Sequence, residues 1–405
     1  MRRSLVLLLA LLIALGGSAQ IFAGAAARDR GGKRHGGAEP DAVRPAAAGD
    51  NGDVTNWYIV EVSPHGPDPG DVADRLTKSL GIAVSHVYRH GFIGFAANIP
   101  PNQVDAVKAA KNVRSVEPDE PVTVDGAPSG GPFAPCSDAG DVGSQQVPTG
   151  ICRIQADKNA TANIDGVDDR VNASVAVVDT GIDQDAANWD LNVQSGGIDC
   201  TGGNDQMRDG FGHGTHVAGT IGALDNHVGV VGVAPGVRIW SVKVFDDNGK
   251  GSVRTILCGL NWVLDQAANG NKMDVVNMSL ATKPKNQPVD DRHCGKKAHD
   301  AFQKGVCRVV KAGITVVVAA GNDHANTQFV KPGAYRQAIA VAALSDSDGT
   351  PADDRFAGFS NYGKPIDLAA PGDNILSLYP SDLSGGSMEQ FLSGTSMAAP
   401  HVTGA

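Results

Sequence analysis

The hydrophobic positions in the second half of the chain form short uninterrupted runs instead of alternating with polar positions. Two clear examples are ASVAVVD at 173–179 and ITVVVAAG at 314–321. Strands that are apolar on both faces are those that helices cover on both sides of a sheet. Segments with helical spacing, such as 252–270 and 298–313, lie between these runs. This alternation predicts an α/β fold with a doubly wound, mostly parallel sheet.

A different pattern precedes this region, between residues 56 and 125. Apolar and polar residues alternate in WYIVEV, which is typical of a strand with one buried face. The predicted elements are, in order, a strand at 57–62, a helix at 71–80, strands at 84–90 and 91–99, a helix at 101–113 and a strand at 113–118. The order β-α-β-β-α-β predicts a small α+β module of the ferredoxin-like type.

The N-terminus has the composition of an export signal. Two arginines precede an apolar run from Leu5 to Leu15, and small residues follow as far as Ala19. This pattern predicts a secretory signal peptide, which we assign to residues 1–24. A retained membrane anchor is the alternative, although the run is short for a membrane span. Residues 25–55 contain almost no large apolar side chain and are predicted to be a disordered linker.

Charge and cysteine content narrow the possible partners and the redox state. The formal net charge is −10, which argues against nucleic acid as the main partner because phosphate binding needs a positive field. Six cysteines in an exported chain predict disulfides. The sequence has no Cys-x-x-Cys motif, which argues against a zinc ribbon or a redox dithiol. Six cysteines allow fifteen pairings. The two short loops favour one assignment, namely Cys136–Cys152 and Cys294–Cys307, with Cys200–Cys258 as the remaining pair.

Candidate chemistry lies at the predicted carboxyl ends of the strands, where α/β sheets place their functional groups. Asp179, Ser279 and Asn322 each follow an apolar run, and His213 begins a Gly-rich helical segment. Ser396 is predicted to lie at a helix N-terminus, with Pro400 in the first turn. The dipole and the unpaired N–H groups of such a terminus favour a developing oxyanion.

Each of these residues has an alternative explanation when it is considered alone. Asp-Thr-Gly at Asp179 is also the motif of aspartic proteases, although a second copy is missing, and the aspartate could merely cap a turn. His213 and His216 lack the His-Glu-x-x-His spacing of a zinc site. Ser396 is outside a Gly-x-Ser-x-Gly elbow because Ala398 replaces the second glycine.

Three longer motifs give these residues a common interpretation. VAVVDTGID, GHGTHVAGT and SGTSMAAPHVTG, in this order, resemble the active-site blocks of the subtilisin-like serine proteases, or subtilases, from about Ile151 to the chain end. The resemblance implies Ser396 as nucleophile, His213 as general base and Asp179 as the residue that orients the imidazole. AAGND is similar to the family's oxyanion block and implies Asn322 as a donor. A non-catalytic protein on a subtilase scaffold is the main alternative.

The same resemblance implies how substrate is held. An extended peptide is expected to pair with two edges, one formed by Gly249, Lys250 and Gly251 and the other by Ser279, Leu280 and Ala281. Ala281-Thr282 stands where the family often has Gly-Gly. We therefore expect reduced acceptance of large aromatic side chains, which a peptide-library cleavage profile favouring Phe and Tyr would contradict.

A structural calcium site is also implied by similarity. Its oxygen ligands are expected to be the side chains of Asp190 and Asn226 and the carbonyls of Leu224, Val228 and Val230. An ordinary Asn-containing turn is the alternative. No catalytic metal is implied.

The module at residues 56–125 resembles the family's inhibitory propeptide, and residues 126–405 are then the catalytic domain. An independent binding module is the alternative. The resemblance implies a secreted, extracellular monomer that is made as a self-processed zymogen. Its expected partners are peptide substrates and its own propeptide, without nucleic acid and without a membrane once the signal is removed. The maturation bond is expected between Val124 and Cys136.

The end of the chain at Ala405 comes soon after Ser396. A helix of about 15 Å, the length of about ten residues, is short for a sheet core. Subtilases normally continue this helix, so we expect the catalytic domain to be truncated at its C-terminus. The chain as written is then expected to be unstable or inactive.

Overall fold

The computed structural model describes residues 53–124, 126–129, 136, 144–203, 205, 207–346 and 348–405. The predicted signal peptide at 1–24 and the linker up to residue 52 lie outside the described residues. Within those residues, no helix is both long enough and apolar enough to cross a membrane.

The N-terminal α+β module has the predicted element order. Its elements are β1 (Trp57–Val62), α1 (Pro69–Leu80), β2 (Ala83–Tyr88), β3 (Gly94–Asn98), α2 (Val104–Lys108) and β4 (Val113–Pro118). The strands form an antiparallel sheet in the order β2-β3-β1-β4. The Asp68 side chain caps α1 by accepting from Gly70 N, and Gly81 ends the helix with φ 70°. The second helix is shorter than predicted, because a 3-10 turn at Pro101–Gln103 precedes it and Asn112 has φ 73°.

The remaining helices and strands belong to the larger α/β part of the chain. They are β5 (Pro121–Thr123), β6 (Ala127–Pro128), α3 (Thr149–Arg153), β7 (Ser174–Asp179), α4 (Gln184–Trp189), β8 (Ile198–Asp199), α5 (His213–Gly222), β9 (Arg238–Lys243), β10 (Lys250–Ser252), α6 (Val253–Ala268), β11 (Val275–Met278), α7 (Ala301–Lys311), β12 (Thr315–Ala319), β13 (Ile339–Ser345), β14 (Arg355–Phe356), β15 (Leu368–Pro371), β16 (Ile375–Leu378), β17 (Glu389–Ser393) and α8 (Thr395–Gly404). Two further 3-10 turns lie at Ala156–Lys158 and Thr327–Phe329.

An eight-stranded sheet forms the centre of this part, which confirms the predicted mostly parallel, doubly wound fold. Its order is β14-β13-β12-β11-β7-β9-β8, with β15 also paired to β13. Among the described strands of this sheet, only β14 runs antiparallel to its neighbour. Ala176 and Val178 pack with α6 and α7, whereas Val175 and Val177 pack with α5 on the opposite face. Both faces of β7 are therefore buried, which explains its uninterrupted apolar sequence.

Smaller sheets and disulfides complete the described structure. β5 pairs with β10, and β16, β17 and β6 form a three-stranded sheet. The three predicted disulfide pairs are those found, namely Cys136–Cys152, Cys200–Cys258 and Cys294–Cys307.

Candidate active site

A buried carboxylate–imidazole pair lies at the carboxyl edge of the sheet. Asp179 is the last residue of β7, and His213 is the first residue of α5. His213 Nδ1 donates to Asp179 Oδ1 at 2.7 Å, and their side chains are 1% and 0% exposed. Nearby His216 is neutral, because burial lowers its pKa to about 3, and its Nε2 donates to the carbonyl of Ile375. The two histidines of the motif therefore have different partners, a carboxylate for His213 and a backbone carbonyl for His216.

Asp209 connects the end of β7 to the start of α5. Its Oδ1 accepts from Thr180 Oγ1 at 2.8 Å and from Gly212 N at 2.7 Å. Its Oδ2 accepts from both the N–H and the hydroxyl of Thr215. Asp209 lies six residues before Thr215, in a stretch that reads only Asp-Gly-x-Gly, so the structural role of Asp209 was not predicted.

Ser396 is the second residue of α8 and faces the end of β11. Its Oγ donates to the Ser279 carbonyl at 3.3 Å, and Ser279 Oγ donates to the Ser396 carbonyl at 2.8 Å. The helix N-terminus was predicted correctly, but Pro400 lies inside α8 and not in its first turn. Because proline has no N–H, it cannot bond the carbonyl four residues earlier. That carbonyl belongs to Ser396, and Ser279 supplies the missing donor.

The Asn322 side chain has a defined orientation. Its Oδ1 accepts from Thr395 N at 2.8 Å and from Thr395 Oγ1 at 2.9 Å. A backbone N–H can only donate, so the amide atom that faces Thr395 is the oxygen. The NH₂ group is therefore at the opposite end of the amide. Thr395, which was not among the predicted site residues, determines this orientation.

A segment of the chain itself lies between the two edges that were predicted to hold substrate. β5 pairs antiparallel with β10, so that Thr123 lies opposite Lys250. Thr123 also pairs with Ala281, with N to O distances of 3.3 and 3.2 Å. Val124 N donates to the Gly249 carbonyl at 3.5 Å. The Thr282 hydroxyl accepts from Lys331 N at 3.1 Å, so the side chain is anchored to the loop behind the edge.

Gly126 continues this segment past the buried pair. A Cβ atom placed on Gly126 would lie 3.1 Å from the His213 ring and 3.5 Å from Met397 Sδ. Ala127 and Pro128 then pair with Ser393 and Leu392 of β17. The chain therefore passes beside His213 and the first turn of α8.

Three backbone carbonyls of the loop after α5 point to one position. The carbonyls of Leu224, Val228 and Val230 accept from the single nitrogen Nε2 of Gln145 at 2.7, 2.9 and 2.9 Å. The sequence predicts the carbonyls as ligands but not the glutamine, because Gln145 lies far from the loop in sequence.

A buried carboxylate lies beside these carbonyls. Asp190 Oδ1 accepts from Asn226 Nδ2 at 3.1 Å, and Asp190 Oδ2 is buried with no hydrogen-bond partner among the described residues. Burial raises the pKa of this carboxyl to about 8. Converging carbonyl oxygens and an unsatisfied carboxylate oxygen form the hard, oxygen-only donor set that Ca²⁺ prefers. The three carbonyls and Asp190, together with Gln145, therefore fit calcium, whereas the Asn226 oxygen accepts from Val228 N at 3.0 Å and its NH₂ group faces Asp190.

The N-terminal module contacts the first turns of two helices in the larger part. Asp119 Oδ1 accepts from Arg254 N at the start of α6, and Glu117 Oε1 accepts from Ala301 N at the start of α7. Asp119 also forms a buried ion pair with Arg254 at 2.7 Å. Carboxylates at helix N-termini satisfy free N–H groups and the helix dipole. Burial, with the nearby charge of Asp300, raises the pKa of Glu117 to about 8.

A carboxylate–imidazole pair and a helix-terminal serine at the carboxyl edge of a doubly wound sheet are the arrangement expected of a serine hydrolase. Comparison with known proteins agrees and is more specific. Residues 171–405 match the model of the subtilase family, and residues 45–125 match that of peptidase inhibitor I9. The chain belongs to the subtilase family of serine peptidases and carries an inhibitor I9 domain before its catalytic domain.

Individual relatives support the same assignment. An alkaline protease of Alkalihalobacillus alcalophilus is 36% identical over 76% of this chain and 67% of its own length. Subtilisin Savinase of Lederbergia lenta is 39% identical over 65% of this chain and 83% of its own length. Among solved structures, fervidolysin from Fervidobacterium pennivorans, a keratinolytic enzyme related to subtilisin, is similar with a TM-score of 0.64 and 26% identity. That similarity covers 86% of this chain and 53% of fervidolysin.

Proposed function

We propose that this protein is the zymogen of a secreted serine endopeptidase that hydrolyses peptide bonds through an acyl-enzyme on Ser396. The observation that carries the proposal is the buried 2.7 Å contact between Asp179 and His213 at the edge past which the chain's own segment runs. Ser396 Oγ attacks the peptide carbonyl, and His213 accepts its proton and later delivers it to the leaving amine. Asp179 holds the imidazole in the tautomer that this transfer needs.

The direct test is labelling with a fluorophosphonate, which reacts with activated serines. We expect labelling of the wild-type chain and none of Ser396→Ala. Absence of labelling in a wild-type chain that unfolds cooperatively would contradict the proposed function and favour a non-catalytic protein on a subtilase scaffold.

Asn322 and the Ser396 backbone N–H are proposed to bind the oxyanion of the tetrahedral intermediate. Replacing Asn322 by alanine is expected to lower kcat by about 10²- to 10³-fold with little change in KM, because the lost donor acts mainly in the transition state. Steady-state kinetics on a peptide substrate measure both constants. A fall in kcat/KM that came entirely from KM would show that Asn322 binds substrate instead.

The cleft-bound segment is proposed to be the self-processing site. Thr123 pairs with Ala281, Val124 pairs with Gly249, and Gly126 lies beside His213. Among the described residues of this segment, Gly126 lies beside His213, the proposed base. We therefore expect cleavage before Gly126, a narrower position than the Val124 to Cys136 interval expected from sequence.

N-terminal sequencing of the processed protein measures this position. The mature chain is expected to begin Gly126-Ala127-Pro128. A single N-terminus anywhere else would contradict the register.

After cleavage the product strand β5 still occupies the substrate edges, which supports the I9 domain as an intramolecular inhibitor that competes with peptide substrates. We propose that the enzyme is exported by its signal peptide and acts as a monomer.

Calcium is proposed to stabilise the loop between α5 and β9, where the carbonyls of Leu224, Val228 and Val230 would hold it together with Asp190 and Gln145. A ligand that binds only the folded state, present at about a hundredfold above its Kd, adds about 2.7 kcal/mol of stability. Calcium is therefore expected to raise the Tm of the wild-type precursor above its value in chelator. The expected rise is much smaller in Asp190→Asn and unchanged in Asp185→Asn, whose aspartate is exposed. Equal rises in all three proteins would exclude this loop as the site.

A further inference from the structure

A cavity of about 570 Å³ opens at the junction between the I9 domain and the catalytic domain. Seven of its lining residues come from each side. The I9 domain supplies an apolar wall that includes Phe92 and Ile93, together with Arg114. The catalytic domain supplies α7 and the loop that precedes it. Neither domain forms this cavity alone, and its volume is in the range of small-ligand sites.

The charge of the cavity is opposite to that of the protein. Its lining contains five Lys or Arg residues and one histidine, but a single acidic residue, Glu61. Glu61 pairs with Lys304 at 2.9 Å. The other four cations have no carboxylate within ion-pair distance among the described residues, and they are Arg114, Lys296, Arg308 and Lys311. In a protein of net charge −10, this concentration of unpaired positive charge beside an apolar wall favours an anion.

The backbone that carries these cations is firmly held. Lys304, Arg308 and Lys311 share one face of α7 at the spacing of successive turns. Lys296 lies on a loop that the Cys294–Cys307 disulfide joins to the same helix. The Asp291 carboxylate accepts four backbone N–H bonds within that loop, at 2.7 to 3.1 Å. The cationic side chains therefore extend from a pre-organised frame.

We propose that this cavity binds a small multivalent oxyanion, of the oligophosphate class, and that the bound anion holds the I9 domain on the catalytic domain. Several phosphate groups on one molecule can contact Arg114 and the α7 cations together, and the arginines offer bidentate hydrogen bonds. A ligand whose site needs both domains stabilises only the complex, so it opposes release of the I9 domain. This regulatory consequence rests on the proposed function, whereas binding of the anion does not.

Binding is tested on the full Ser396→Ala precursor, with inorganic triphosphate as the probe, by calorimetry at constant free calcium. We expect saturable binding that weakens with added salt and weaker binding of monophosphate at equal ionic strength. Exposed Arg308 and Lys311 are then changed together to glutamine, with Lys158→Gln and Lys364→Gln as a control pair of equal charge change at exposed sites. We expect at least about tenfold weaker binding in the cavity variant only, because each lost contact is charge-assisted.

Three results would overturn the site. The first is that millimolar triphosphate gives no heat of binding. The second is that triphosphate binding weakens equally in the cavity and control variants. The third is that the catalytic domain binds triphosphate as tightly after the I9 domain has been removed as the precursor does. Because Arg308 and Lys311 are exposed, both variants are expected to fold, and their unchanged Tm without anion verifies this.

The regulatory consequence is measured separately, in wild-type precursor, as the rate at which peptidase activity appears with and without triphosphate. We expect slower appearance with triphosphate, and no such effect in the Arg308→Gln/Lys311→Gln variant. An unchanged rate in wild type that binds triphosphate would refute the regulatory role. A precursor that never becomes active, with or without the anion, would contradict the proposed function and leave the binding result to decide the site.

Discussion

Replacing Ser396 by alanine is expected to lower kcat by about 10⁶-fold, the loss that removing the nucleophile causes in subtilisin itself, from which this magnitude comes. The same change is expected to leave the precursor uncleaved. The substitution removes the attacking oxygen and one hydrogen bond of 3.3 Å to the Ser279 carbonyl. The bond from Ser279 to the Ser396 carbonyl involves only backbone at position 396, so the local fold is expected to persist.

Intact mass and N-terminal sequencing of the secreted product measure this effect. The wild-type product is expected to lose the I9 domain, and the Ser396→Ala product is expected to retain it after removal of the signal peptide. Exposed Ser387→Ala serves as the control and is expected to process like wild type. Normal processing of Ser396→Ala in a host without other proteases would exclude Ser396 as the nucleophile for maturation.

Replacing Asp179 by asparagine is expected to lower kcat by about 10⁴-fold. The carboxylate accepts from His213 Nδ1 and from Thr180 N. An asparagine can present its NH₂ group to the imidazole, which would place the ring proton on Nε2, where it blocks proton uptake from the serine. Since the pair is buried, water cannot easily replace the lost acceptor.

The control for this prediction is Asp185→Asn, an exposed aspartate at the start of α4. We expect near wild-type kcat for this control and an unchanged Tm. A kcat for Asp179→Asn within a few fold of wild type would show that another group orients His213. Direct detection of the imidazole proton by NMR at neutral pH separates a tautomer change from misfolding, because a folded variant retains a dispersed spectrum.

The candidate residues that lie within contiguous motifs could be predicted from the sequence alone. Asp179, His213, Asn322 and Ser396 were selected because each follows a strand or begins a helix at a predictable place. The structure brings the first two into contact and orients the amide of Asn322.

The supporting residues were not predicted because their partners are distant in sequence. Thr395 and its partner Asn322 are separated in sequence by strands β13 to β17. Gln145 donates to carbonyls of the loop that follows α5, which also lies far from it in sequence. Asp209 lies near its partners in sequence, but its function depends on Thr180 from β7. No local pattern encodes such contacts, because they form only when the sheet has brought separate elements together.

Secondary structure, too, was predictable where the local sequence carries a strong periodic signal and not where strand pairing decides it. The long apolar strands and amphipathic helices were predicted with small boundary errors. The short strands β16 and β17 were not predicted, because four or five residues of mixed polarity give a weak periodic signal. Their pairing with each other and with β6 supplies the regularity that the local sequence lacks.

By itself, the sequence determined the fold class, the two-module organisation and the identity of the candidate catalytic residues. These properties depend on local periodicity and on short motifs, both of which can be read along the chain. Only the tertiary structure decided which groups orient the active site, where the chain crosses the cleft and how a cationic cavity forms between the two domains. These depend on contacts between distant segments, whose geometry is set by how the sheet and its helices pack.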